Sequence, residues 1–325
     1  MPRITIKNFI YIIAPLLFIG LFGCAGGKGK GDTPYSYGNP EYKSMQDIPA
    51  AQAEALALED PPTPDIPERT ADEYEALGDA MLKKGNLSVA FLQYERALEK
   101  EPENLRVEYK IGLAFLKGKK LEDAEKQFWK VLEKDPEFAQ AWEGMGRVYF
   151  FKTEYHEAEG YFLKALGYDK GLWRSHNYLG YMYDLQGHNS LAVKQYIAAL
   201  AIEPRKGSIY NNLGVAYSME GRYPEAAEAF QAAIKMNYRE PKVYNNLALA
   251  LANMEMYDDA LSAFVKGVGE AEAYNNMGCI YLKAGKYDQA IQSFEKAIEI
   301  EPQYYVKAGK NLRKAKKAAQ EESRQ

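Results

Sequence analysis

The stretch Ser208-Ile-Tyr-Asn-Asn-Leu-Gly-Val-Ala-Tyr-Ser-Met-Glu-Gly-Arg-Tyr-Pro-Glu-Ala-Ala-Glu-Ala-Phe-Gln-Ala-Ala-Ile-Lys235 decides the fold. Apolar residues fall at helical spacing on both sides of Gly221, where the pattern breaks. The reading is two short amphipathic helices joined by a tight turn. Small residues mark their facing sides: Gly214 on the first, Ala226 and Ala233 on the second. Tyr210, Leu213, Tyr217 and Phe230 sit beside them at one-turn spacing. That combination lets two helices approach closely along one apolar seam.

The same text recurs along the chain every 34 residues, with one shorter step. Gly78, Gly112, Gly146, Gly180, Ala248 and Gly278 take the place of Gly214. Ala90, Ala124, Ala158, Ala192, Ala260 and Ala290 take that of Ala226. Opposite them stand Tyr94, Phe128, Phe162, Tyr196, Phe264 and Phe294. Pro102, Pro136, Pro204 and Pro302 each close a second helix, because proline cannot continue one. With these residues in register, the chain resembles a tetratricopeptide-repeat array. Seven units are expected, over residues 71–104, 105–138, 139–172, 173–206, 207–240, 241–270 and 271–304. The resemblance implies an all-α fold, a right-handed α-α superhelix closed by a C-terminal capping helix.

The start of the chain has a different character. Arg3 and Lys7 precede an apolar run from Phe9 to Phe22 that is interrupted by Pro15. Fourteen residues are short of the ~20 that a spanning helix needs, and the layout matches a secretory signal over residues 1–23. Leu21-Phe-Gly-Cys24 resembles a bacterial lipobox, which implies a covalent lipid on Cys24. An uncleaved anchor with an incidental cysteine is the alternative. In either case the remainder is exported to the cell envelope. If lipidated, it is expected at the outer membrane, facing the periplasm, since Ala25 rather than Asp follows the cysteine. Cys279, the second of two cysteines, then has no intramolecular partner and reads as a small buried residue, with a reactive thiol as the alternative.

Residues 24–70 run from Gly26-Gly-Lys-Gly-Lys-Gly31 to Pro61-Pro-Thr-Pro-Asp-Ile-Pro67. No long helical period survives these prolines, so the segment reads as a disordered tether. Its ~46 residues would reach roughly 35–40 Å as flexible coil. The Gly-Lys pairs lack the Ser or Thr and the preceding strand of a phosphate loop. Further on, Gly267 and Gly269 interrupt the sixth unit and predict a shortened second helix. Residues 305–325 are polar on most faces, as a capping helix must be when it covers the last seam and faces water.

Little in the chain points to chemistry. Its net charge is −4, and −6 without residues 1–23, which argues against nucleic-acid binding. His156, His176 and His188 stand at unlike positions, and His176 takes the place of Tyr210, a packing site. No histidine–carboxylate set has metal spacing and no nucleophile motif occurs. No catalytic activity, metal, cofactor or small-molecule substrate is therefore expected. The first helices do carry one informative pattern. Asn211-Asn212, Asn245-Asn246 and Asn275-Asn276 each follow a tyrosine, and Asn177-Tyr178 follows His176. The resemblance implies that these positions face or border a concave groove. There the amides would meet the backbone of an extended partner segment, with Tyr109, Tyr178 and Tyr181 as apolar anchors. Support of the helix itself is the competing role for these amides.

A tethered repeat array in the envelope implies an interaction scaffold that binds a protein partner and holds the membrane by its lipid. The layout and the run from Tyr210 to Ile298 resemble the tetratricopeptide lipoproteins of tight-adherence (Flp) pilus assembly. The alternatives are a type IV pilus lipoprotein that assists secretin assembly, an adaptor of peptidoglycan enzymes, or a ligand-sensing accessory of an envelope enzyme.

Overall fold

The computed structural model describes residues 69–323. The expected signal segment, Cys24 and the expected tether up to residue 68 lie outside the described residues. So do residues 324 and 325 of the tail. Among the described residues the chain is all-α, as the repeat pattern requires. It divides into two compact bodies, residues 69–238 and 239–323. The first holds α1 (Ala71–Lys84), α2 (Leu87–Lys100), α3 (Leu105–Lys117), α4 (Leu121–Lys134) and α5 (Ala139–Phe151). It continues through α6 (Tyr155–Tyr168), α7 (Trp173–Leu185), α8 (Asn189–Ile202), α9 (Gly207–Met219) and α10 (Tyr223–Lys235). The second holds α11 (Pro241–Asn253), α12 (Tyr257–Val268), α13 (Glu270–Lys283), α14 (Tyr287–Ile300) and α15 (Tyr305–Glu322).

Each hairpin is made by local chemistry. At the entrance to α1, Thr70 accepts from the Glu73 amide while Glu73 reaches back to Thr70, a reciprocal cap. Asn86 and Asn104 cap α2 and α3 in the same way with one bond each. Between paired helices one residue adopts a left-handed conformation and the next amide bonds five residues back, as His188 N–H does to the Tyr183 carbonyl at 2.8 Å. Gly85, Gly187, Gly221 and Gly285 take this place, but so do Lys119, Thr153 and Glu255. For a β-branched residue such as Thr153, at φ 64°, the conformation is strained.

The seam between paired helices needs the small residue predicted there. A Cβ on Gly146 would lie 2.7 Å from the Phe162 ring, and one on Gly180 2.7 Å from the Tyr196 ring. Phe162, Tyr196, Phe128, Phe230 and Phe294 are fully buried, and each such side chain contributes about 1.5–3 kcal/mol by leaving water.

Successive hairpins are joined by repeating polar bonds. Tyr149 on α5 donates to Glu125 on α4 at 2.7 Å, and Tyr183 on α7 donates to Glu159 on α6 at 2.8 Å, the same tie one repeat later. Other polar contacts act within a hairpin: buried Glu108 on α3 pairs with Lys130 at 2.8 Å and Lys134 at 3.3 Å on α4. His176 packs half-buried, its Nδ1 2.7 Å from Gln195 Oε1.

In the second body, α12 ends early, at Val268. A single residue, Gly269, then separates it from α13, at φ 86° and ψ 169°, a conformation open essentially to glycine alone. Gly267 lets α12 pass close to α11: a Cβ there would meet Asn245 Oδ1 at 2.9 Å. Finally α15 covers α13 and α14. Ala308 and Ala315 are fully buried, and Lys307 pairs with Glu272 at 3.1 Å. Cys279 is buried there, its Sγ 3.7 Å from Asn311 Nδ2.

Candidate functional site

The first amide position of the predicted stripe recurs in every hairpin, as Glu75, Tyr109, Glu143, Asn177, Asn211, Asn245 and Asn275. Several of these side chains bond the next first helix. Glu75 accepts from Arg106 Nη2 at 2.7 Å and pairs with Lys110 at 2.5 Å, which holds its carboxyl below the usual range against the opposing effect of burial. Glu143 accepts from the backbone amide of Ser175 at 3.2 Å and from its hydroxyl at 3.0 Å. Asn177 accepts from Asn212 at 3.4 Å, and Asn275 accepts from Asn311 of the capping helix at 3.2 Å.

These contacts revise the expected groove. Asn177, Asn211, Asn212 and Asn275 are at most 8% exposed, and hydrogen bonds tie them to one another or to the cap. Their amides serve the seam between neighbouring first helices, because an asparagine there reaches the adjacent helix before it reaches solvent. Asn245, Asn246 and Asn276 remain half-buried. Asn245 Oδ1 has no hydrogen-bond partner, while Asn276 accepts from Asn275 at 3.5 Å.

The open groove of the first body lies elsewhere, along α1, α3, α5 and α7. It has a volume of about 860 Å³. Tyr109 and Tyr178 line it. Tyr181 does not: it is buried, edge-on to the Phe150 ring at 5.5 Å. Phe150 and Leu113 complete an apolar floor, and the Tyr178 ring lies parallel to Phe162 at 5.2 Å. Burial lifts the Tyr109 hydroxyl to about 12, so it stays a neutral donor at physiological pH.

The charges in the groove come from Asp79, Lys83, Lys117, Lys119, Arg147 and Arg174. Asp79 is already engaged, accepting from Tyr94 at 2.8 Å and pairing with Lys110 at 2.5 Å. Lys117 donates to the Leu82 carbonyl. Arg147 bonds the Tyr178 hydroxyl, and the neighbouring Tyr178, Tyr109 and Glu143 hold it firmly protonated despite burial. Its Nε is buried without a hydrogen-bond partner.

None of these basic residues was singled out from sequence. The signal was available in the repeat alignment: the positions equivalent to Arg147 are Asp79, Leu113, Tyr181, Val215, Leu249 and Cys279. Among the described residues no cluster of three or more metal-ligating side chains occurs.

Fold and groove together define a repeat protein that offers a binding surface made of stacked helical hairpins. The chain belongs to the tetratricopeptide-repeat proteins: two family models of that description match it, one at residues 75–136 and 109–176, the other at 208–237 and 271–304. Proteins built on these repeats are protein-interaction scaffolds.

No curated protein matches the chain. Among solved structures, the APC/C hetero-tetramer Cut9–Hcn1 is similar at 21% identity and a TM-score of 0.51. That match covers 83% of this chain, which spans about half (52%) of the other. Pseudomonas aeruginosa PilF is similar at 23% identity and a TM-score of 0.49, over 62% of this chain and 93% of that one. PilW, a type IV pilus biogenesis factor, is similar at 15% identity and a TM-score of 0.49, over 65% and 99%. At these identities the likeness concerns the fold alone.

Proposed function

We propose that the protein is a non-catalytic envelope scaffold, lipid-anchored through Cys24 at the outer membrane and facing the periplasm. Its repeats hold an extended segment of a partner protein during assembly of a pilus or secretion complex of the Flp type. The observation that carries the binding role is the groove of α1, α3, α5 and α7. It is open, floored by Tyr109, Phe150 and Tyr178, and edged by basic groups. Aromatic rings give a large contact area at low conformational cost, which suits a peptide-binding floor. The anchor and the system rest on Leu21-Phe-Gly-Cys24 and on the sequence layout. Among the described residues no helix is long and apolar enough to cross a membrane.

Two measurements test the proposal. Cys24→Ser should release the protein from the envelope or block its processing, and wild type should take up an alkyne fatty acid. Normal retention of the variant with no label on wild type would refute the anchor. Affinity capture from solubilised envelope, read by mass spectrometry, should recover pilus or secretion components. Recovery of type IV pilus components, or of a peptidoglycan hydrolase, in place of Flp-type ones would instead favour the type IV pilus or adaptor reading.

A further inference from the structure

The groove is basic in a chain that is acidic overall. The net charge is −4, yet five basic side chains and one carboxylate reach the groove. That carboxylate, Asp79, is already paired with Lys110. Arg147 is the lone base at its repeat position, lines the groove with Tyr109 and Tyr178 and bonds the Tyr178 hydroxyl. Its nearest acid on the same helix, Glu143, is committed through Oε2 to Ser175. So Arg147 keeps a buried donor, Nε, without a partner. A buried donor left unbonded is destabilising, and a guanidinium offers a fork that matches a carboxylate. Arg174, exposed and stacked over Trp173 at 4.6 Å, adds a second guanidinium at the same mouth.

We propose that this groove reads acid: a partner's extended segment places an Asp or Glu side chain between Arg147 and Arg174, with an adjacent aromatic residue against Tyr109 and Tyr178. The inference rests on the proposed peptide-binding role and names the chemistry of its ligand. Charge complementarity selects such a segment over a neutral one. The aromatic floor distinguishes it from a free anion, which would use the guanidinium groups alone.

The test is fluorescence anisotropy with the full-length protein and two labelled twelve-residue probes. One has the core Asp-Phe-Glu-Phe-Asp; in the other, Asn and Gln replace the acids. The acidic probe should bind at least about tenfold more tightly, about 1.4 kcal/mol. That advantage should shrink in 0.5 M salt. Arg147→Met keeps the bulk of the side chain and should abolish the preference. Arg174→Gln, at an exposed residue that puts folding at little risk, should reduce it severalfold, and inorganic phosphate should compete poorly. Equal binding of both probes overturns acid reading and leaves peptide binding standing. Binding of neither overturns both. An acid preference unchanged in both arginine variants places the anion elsewhere and overturns the assignment.

Discussion

Replacing Gly146 tests the packing logic on which the whole array depends. A Cβ at this position would stand 2.7 Å from Cδ1 and Cε1 of Phe162 and 2.9 Å from Cγ. Carbon atoms prefer about 3.5–4.0 Å, so the ring must retreat by roughly 1 Å. It has little room: Phe162 is fully buried and its ring is stacked on Tyr178. Overpacking of this kind costs about 1–3 kcal/mol, while alanine returns up to ~1 kcal/mol of helix propensity over glycine. The net for Gly146→Ala is a loss of about 1–2 kcal/mol, and Gly146→Leu should lose 3 kcal/mol or more. At about 2–4 °C per kcal/mol for a body of this size, the alanine variant should melt roughly 2–8 °C lower. Far-UV circular dichroism on heating reads the midpoint. Shortening the opposing ring by Phe162→Leu should relieve the alanine variant, with a coupling of at least ~0.5 kcal/mol in the double-mutant cycle. The sixth hairpin is an internal control, because Ala248 already faces Phe264 there and Ala248→Gly should show no gain. If both Gly146 variants melt like wild type, or the cycle is strictly additive, the close approach is not what holds the seam.

Thr153→Gly should raise the midpoint by an amount equivalent to ~0.5–1 kcal/mol, since it removes a β-branched residue at φ 64°; a lower midpoint would show that the turn is unstrained. Glu143→Ala should cost about 1–3 kcal/mol by stranding the Ser175 amide and hydroxyl, and Glu143→Gln should recover most of it, as urea unfolding would report. Burial raises the Asp184 carboxyl from 3.8 to about 7, with nearby Glu220 adding to the rise and the Tyr196 hydrogen bond opposing it. The folded protein therefore binds this proton more tightly than the unfolded chain. Stability should fall as pH climbs from about 4 to 7 and show no such slope from this group below that window. Asp184→Asn should flatten the profile of midpoint against pH, and an unchanged slope would assign the titration elsewhere.

Residues a few positions apart decide most of what the sequence makes legible. The 34-residue period, the glycine opposite an aromatic ring, the turn at Gly221 and the early end of α12 before Gly269 all follow from helix geometry and backbone sterics. Those forces act within one hairpin, so the text of one hairpin suffices to read them. The roles of the stripe residues are set at a longer range. Whether Asn177 meets solvent or a neighbouring amide depends on Asn212, 35 residues on. Whether Glu143 is a groove acid or a seam link depends on Ser175, 32 residues on. Sequence periodicity gives the face on which a side chain starts, but not which neighbour occupies the space in front of it. Only the packing of successive first helices turned the asparagines inward and left Arg147, beside Tyr109 and Tyr178, as the unsatisfied group in an open groove. A long flexible side chain there finds partners that stacking brings near, and that choice is made in three dimensions.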